Sequence, residues 1–160
     1  MAVHPDILGA LTTGIQSEVA SYVFYTEAAR RADADEFRKT LKQLALEEKR
    51  HFHVLERQYD SLVRSEKWIS TADILKEEGL PEIGEEMAEK HKALIDQVRK
   101  AADQKAVLEI ALRLEYEARD HFASMAQKAD TREAKDTFDY LSKFEQTHVE
   151  IIKKMMAGLG

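Results

Sequence analysis

The stretch Leu108-Glu-Ile-Ala-Leu-Arg-Leu-Glu115, read with Phe138-Asp-Tyr-Leu-Ser-Lys-Phe-Glu-Gln-Thr-His148, decides how this chain folds. Leu108, Leu112 and Phe122 fall at the spacing of a helix's buried stripe, and Glu115 stands where that stripe should stay apolar. In the second segment Glu145 and His148 are three residues apart, so a helix presents their carboxylate and imidazole on one face. A carboxylate on a core face is costly unless it is paired or bound to a cation. A helical chain with acid in its interior is therefore the first reading.

The pattern occurs twice. Shifting the first part of the chain by 97 residues pairs Leu11 with Leu108, Ile15 with Leu112 and Glu18 with Glu115. The same shift pairs Tyr25 with Phe122, Leu44 with Leu141, Glu48 with Glu145 and His51 with His148. Any two amphipathic hairpins share some apolar matches, so the polar matches at core positions carry the information. Glu18 to Glu48 and Glu115 to Glu145 both span 30 residues, with midpoints at Asp33 and Asp130. In an antiparallel hairpin, residues equidistant from the turn lie at one height, here roughly 22 Å from it at about 1.5 Å per residue. Glutamates at both required positions have a chance probability of about 0.01. Each half then sets Glu, Glu and His at one level. Four carboxylates balance two divalent ions, and mixed carboxylate–imidazole ligation suits iron or manganese.

Working outward, four long helices are predicted: Asp6 to Ala32, Asp33 to Arg64, Asp103 to Ala129 and Asp130 to Met156. Asp33, with Glu36 three residues on, and Asp130, with Glu133, read as capping-box variants, and Asp103 reads as an N-cap. Residues 65–102 are less regular, with a short helix from Thr71 to Glu78, the breaker run Gly79-Leu80-Pro81, and another helix from Glu85 to Ala101. Two hairpins joined by a long crossover make a four-helix bundle, with residues 1–160 taken as a single domain. The composition agrees. Six glycines and two prolines among 160 residues are too few for the turns of a sheet protein. The absence of cysteine excludes disulfides, zinc fingers, iron–sulfur clusters and thiol catalysis. A net charge of −6 with acid and base interspersed argues against a nucleic-acid groove. No export signal and no long apolar run are present, so the expectation is a cytoplasmic protein without a membrane span.

One Glu plus a Glu-x-x-His from each of two hairpins resembles the ligand pattern of ferritin-like di-iron carboxylate proteins. Within that group the chain is most similar to the rubrerythrin-type domain, over residues 6–155. The resemblance implies helices running up, down, down and up, and six metal ligands: Glu18, Glu48, His51, Glu115, Glu145 and His148. It implies two iron ions, with manganese as the alternative, and an oxidoreductase that reacts with hydrogen peroxide or O₂. Ferroxidase activity stands close behind. Iron storage or delivery and oxygenation of an organic substrate are the alternatives. Rubrerythrins commonly carry a rubredoxin module with four cysteines; none stands here, so the implied electron donor is a separate protein such as a rubredoxin. An extra family glutamate near the third-helix ligand is also missing, since Ala111, Leu112, Ala118 and Arg119 fill the neighbouring positions. A homodimer is the family expectation.

The remaining candidates read more plainly. Tyr22 and Tyr25 lie one and two turns beyond Glu18, where core packing is expected and a hydrogen bond to the ligands is the alternative. His4, His53, His91 and His121 read as surface histidines. Glu117 and His121 have no counterpart in the repeat. Glu47 and Glu150 adjoin ligands but point off the core face, and both are left outside the site.

Overall fold

The computed structural model describes residues 5–77 and 79–159. Among these the chain is all helix: α1 Pro5–Arg31, α2 Asp35–Ser65, α3 Thr71–Leu75, α4 Glu85–Glu89, α5 Lys92–Lys100, α6 Gln104–Lys128 and α7 Arg132–Leu159. Helices α1 and α2 form one hairpin and α6 and α7 the other, while α1 also packs on α6 and α2 on α7. The turns, residues 32–34 and 129–131, are centred where the 30-residue spacings place them.

Two apolar layers fix the direction of each helix. The upper layer joins Phe24 and Ala28 near the end of α1, Leu41 and Leu44 near the start of α2, Leu108 at the start of α6 and Ile152 late in α7. Below, Leu11 joins Leu55 and Leu62 of α2, Phe122 and Ala126 of α6, and Phe138 and Leu141 of α7. Hence α1 runs up, α2 down, α6 down and α7 up, with the crossover climbing the length of the bundle. This is the ferritin-like helical bundle. Gly14 makes one contact possible: a Cβ there would meet Phe122 at 2.9 Å and Leu55 at 3.2 Å, so the missing side chain admits the ring.

The crossover is tied at both ends. Gln58 donates its side-chain amide to the Ile69 carbonyl at 2.6 Å and accepts from the Ile69 backbone N–H at 2.9 Å. At the other end Val98 of α5 joins the upper layer, and Arg99 pairs with the nearly buried Glu27 at 3.0 Å. Between them Ile83, Met87, Ala88 and Ile95 cover Val19, Val23 and Phe52 on the outer face of the first hairpin.

Several local expectations need correction. The N-cap of α2 is Ala34, which offers no side-chain cap, so Asp33 does not start that helix. Asp35 and Glu36 instead place two acids in its first turn, where the helix dipole favours them. At α7 the Thr131 hydroxyl accepts from the Ala134 N–H, which displaces Asp130 from the capping role. Asp103 does cap α6, accepting from Ala106 at 2.9 Å. The helix expected from Glu85 to Ala101 is two helices, because the backbone leaves helical geometry at His91. The break lets both pieces lay apolar residues on α1. The short helix from Thr71 ends at Leu75, capped at its start by the Ser70 side chain; Glu78 lies outside the described residues. No helix among the described residues is long and apolar enough to cross a membrane.

Candidate metal centre

Between the two apolar layers lies a polar one. Glu18 of α1, Glu48 and His51 of α2, Glu115 of α6, and Glu145 and His148 of α7 meet there, each at most 1% exposed. The shared height follows from the hairpin symmetry, and the shared face from the three- and four-residue spacings. The ligand-type atoms fall into two groups of four, each within 4.8 Å of one another: Glu18, Glu48, His51 and Glu145, and Glu48, Glu115, Glu145 and His148. Glu48 and Glu145 belong to both.

The two shared carboxylates divide their oxygens between the imidazoles. Glu145 places Oε1 at 2.9 Å from His51 Nδ1, which donates to it, and Oε2 at 3.4 Å from His148 Nδ1. Glu48 places Oε2 at 3.9 Å from His51 Nδ1 and Oε1 at 2.7 Å from His148 Nδ1. The unshared carboxylates each serve one imidazole: Glu18 Oε2 stands 3.7 Å from His51 Nδ1, and Glu115 Oε1 stands 3.3 Å from His148 Nδ1. Both histidines thus turn the same nitrogen inward.

Burial and crowding set the protonation of the cluster. Burial pushes the Glu18, Glu48 and Glu115 carboxyls well above their ordinary range, and neighbouring glutamate charges add to the effect. Burial would raise Glu145 too, but hydrogen bonds from Glu115, His148 and His51 outweigh it and hold this carboxyl well below. Burial disfavours charged imidazoles, yet the surrounding acceptors prevail and raise both His51 and His148. Without cations, Glu18, Glu48 and Glu115 thus favour their protonated forms and Glu145 its ionised form.

The residues fit a pair of divalent ions. Both oxygens of Glu18, both of Glu48, Oε2 of Glu115, Oε2 of Glu145 and Nδ1 of His148 are buried in close polar contacts but make no well-aligned hydrogen bond. Native interiors seldom leave polar atoms so, and here the orphans are gathered at one level. Carboxylate oxygens with neutral nitrogens and no sulfur are the donors that Fe(II) and Mn(II) accept.

Two contacts surround the six. The Tyr25 hydroxyl donates to Glu115 Oε1 at 2.6 Å; burial above all pushes this phenol well above its usual range, so it keeps its proton. Glu47 was read as pointing off the core face, but its Oε2 lies 2.8 Å from His148 Nε2. The signal for it was its place: one residue before Glu48, it turns toward α7, where the outer edge of His148 arrives. Tyr22, the other tyrosine candidate, makes no hydrogen bond into the cluster; its ring lies under Lys49 at 5.9 Å, on the outer face. His53, His91 and His121 are half-buried rather than surface residues, and His53 and His121 bond Glu77 and the Ala10 carbonyl. His4 lies outside the described residues.

An antiparallel bundle with two buried Glu/His groups at mid-height, sharing two carboxylates, has the plan of the ferritin-like carboxylate proteins. The rubrerythrin family model matches residues 9–156. The chain belongs to the rubrerythrin family, a family of di-iron proteins, and its buried Glu/His cluster could hold metal. Among curated proteins and solved structures, none matches the chain.

Proposed function

We propose that the cluster binds two iron ions, with manganese as the competing metal, and that the protein reduces hydrogen peroxide with electrons from a separate donor such as a rubredoxin. The observation that carries this reading is the membership of Glu48 and Glu145 in both groups, which would let each serve a pair of ions. Glu18 and His51 serve one position, Glu115 and His148 the other. Bound iron would supply two electrons, one per ion, which together with two protons turn hydrogen peroxide into two waters.

The protein's own part is positional and electrostatic. The apolar layers above and below exclude bulk water, which strengthens each charge interaction inside. Glu48 and Glu145 each face both imidazoles, so each can serve either position. Tyr25 keeps Glu115 oriented through its retained hydroxyl proton. Glu18, Glu48 and Glu115 surrender their protons when divalent ions replace them, so four carboxylates meet four positive charges.

Metal analysis after expression with iron is the first test, with about two ions per chain expected. The reduced protein, mixed anaerobically with hydrogen peroxide and separately with O₂, is expected to oxidise faster with peroxide. Faster reaction with O₂ would favour the ferroxidase reading, and a many-subunit shell on sizing would favour storage. A protein that takes up no metal sinks the proposal.

A further inference from the structure

The two halves of the centre match in the six ligands and differ in what stands behind them. His148 turns Nε2 outward to Glu47 at 2.8 Å, and Glu47 in turn accepts from Gln43 at 3.3 Å. The 97-residue shift takes Glu47 to Phe144 and Gln43 to Tyr140. Behind His51 there is accordingly an aromatic cluster: Phe144 is edge-on to the imidazole at 4.6 Å, nearer than to His148 at 5.4 Å, with Tyr140 5.8 Å from Phe144. His51 Nε2 is buried and has no hydrogen-bond partner. The carboxylates differ in the same sense. Tyr25 donates to Glu115, while its counterpart under the 97-residue shift is Phe122, which has no hydroxyl, and both Glu18 oxygens are unpartnered. His51 itself borders a cavity of about 520 Å³, whereas His148 does not line it and meets it only through Glu47, which stands in the same wall as Tyr140 and Phe144.

We infer that the two metal positions are unequal: the position of Glu115 and His148 is the tight one, filled first, and that of Glu18 and His51 is the loose, exchangeable one. The inference rests on the two-metal reading above. A ligand whose far side is hydrogen-bonded is fixed in tautomer and rotamer before the ion arrives, and a carboxylate behind an imidazole makes it a stronger donor. Glu47 and Tyr25 supply this on one side only. They are positioning residues, since they act on the ion through His148 and Glu115. On the other side, both Glu18 oxygens and the far nitrogen of His51 lack such partners, so the ion itself must order these two side chains.

The test is an anaerobic titration of the metal-free protein with ⁵⁷Fe(II), followed by Mössbauer spectroscopy and by the two dissociation constants. One equivalent of iron is expected to give one dominant quadrupole doublet, with a second doublet growing only beyond it, and constants that differ by about 10- to 100-fold. Glu47→Gln and Tyr25→Phe should each weaken the first step and leave the second alone. Phe144→Glu, which places a carboxylate nearer His51 than His148, should tighten the second step more than the first. Circular dichroism establishes that each variant folds; if Glu47→Gln does not, Tyr25→Phe and Phe144→Glu carry the same test from either side. Two doublets in equal amount from the first addition would overturn the inference, as would a Glu47→Gln variant that weakens both steps alike. Both of these outcomes leave the two-metal reading standing. A protein that binds no iron at all removes that reading, and this inference with it.

Discussion

The apolar layers and the polar layer between them are built from the same four helices, yet they answer to opposite rules. Above and below, Leu41, Leu108, Leu55, Phe122 and Phe138 are fully buried and make contacts that favour folding in proportion to the area removed from water. At mid-height Glu18, Glu48, Glu115 and Glu145 are equally buried and cost free energy unless something neutralises them. The difference teaches that the fold is held by the ends and the site is imposed on the middle. Stability and metal binding should therefore separate cleanly under mutation.

The largest expected effect is on the middle layer. Glu48→Ala removes a carboxylate common to both groups and should lower metal content from two ions to less than one per chain, measured by elemental analysis. The metal-free protein should melt at the same or a higher temperature, because a buried group that resists ionisation has gone. Glu145→Ala should lose metal as severely but also destabilise the metal-free form, by about 1–3 kcal/mol, since it strips His51 of its acceptor. Full metal loading in either variant would break the ligand assignment. Equal metal-free stabilities would show that the two shared carboxylates are interchangeable before metal arrives.

In the end layers the reverse should hold. Leu41→Ala and Phe138→Ala should cost about 3–5 kcal/mol in chemical denaturation, the usual range for a fully buried large side chain. The folded fraction should still bind two ions. If such a variant loses metal before it loses stability, the layers are coupled and the separation fails.

Acidity offers a gentler probe. In the metal-free protein Glu18, Glu48 and Glu115 keep protons that unfolded glutamates, with an ordinary value of 4.5, have released. The folded state then binds more protons than the unfolded one, so stability falls as pH rises above that value. His148 acts in the same direction from its ordinary value of 6.5 upward, because it too keeps its proton when folded. Glu145 opposes them only below the glutamate range, where its own lowered value lies. With chelator present, the melting temperature should therefore be higher near about pH 5.5 than near about pH 8. Two bound ions should flatten or invert that slope. A rising curve for the metal-free protein would mean that the cluster is ionised without metal.

The smallest change tests packing alone. Gly14→Ala would press a methyl against Phe122 at 2.9 Å and should cost about 1–3 kcal/mol of stability with metal content unchanged.

Much of this was legible in the residues themselves. The six clustered side chains could be found because a duplicated pattern placed charge where a core was due, and because the 30-residue spacings put both turns where the structure has them. The helix directions came with the family resemblance. What stayed hidden depends on facing surfaces rather than on periodicity. Ala34 begins α2 without any capping side chain, and Thr131 displaces Asp130 by one position at α7, both within the ordinary scatter of helix ends. His91 interrupts a helix that local propensity would continue, and the two short pieces on either side both lay apolar residues over Val19, Val23 and Phe52. Glu47 looked like a solvated acid along its own helix. Only the arrival of α7 makes it the neighbour of His148.

Each four-residue group draws three members from one hairpin and the fourth from the other: Glu145 crosses to the first and Glu48 to the second. Neither hairpin owns a complete site. An ion that binds both is then a clasp between them, and whatever free energy it gains on binding must be surrendered before α1 and α2 can part from α6 and α7. The covalent crossover keeps the halves at high effective concentration, while the clasp sets how long they stay shut. Separation of the hairpins then requires metal release first, and a protein stripped of its ions is the one whose middle is freer to open.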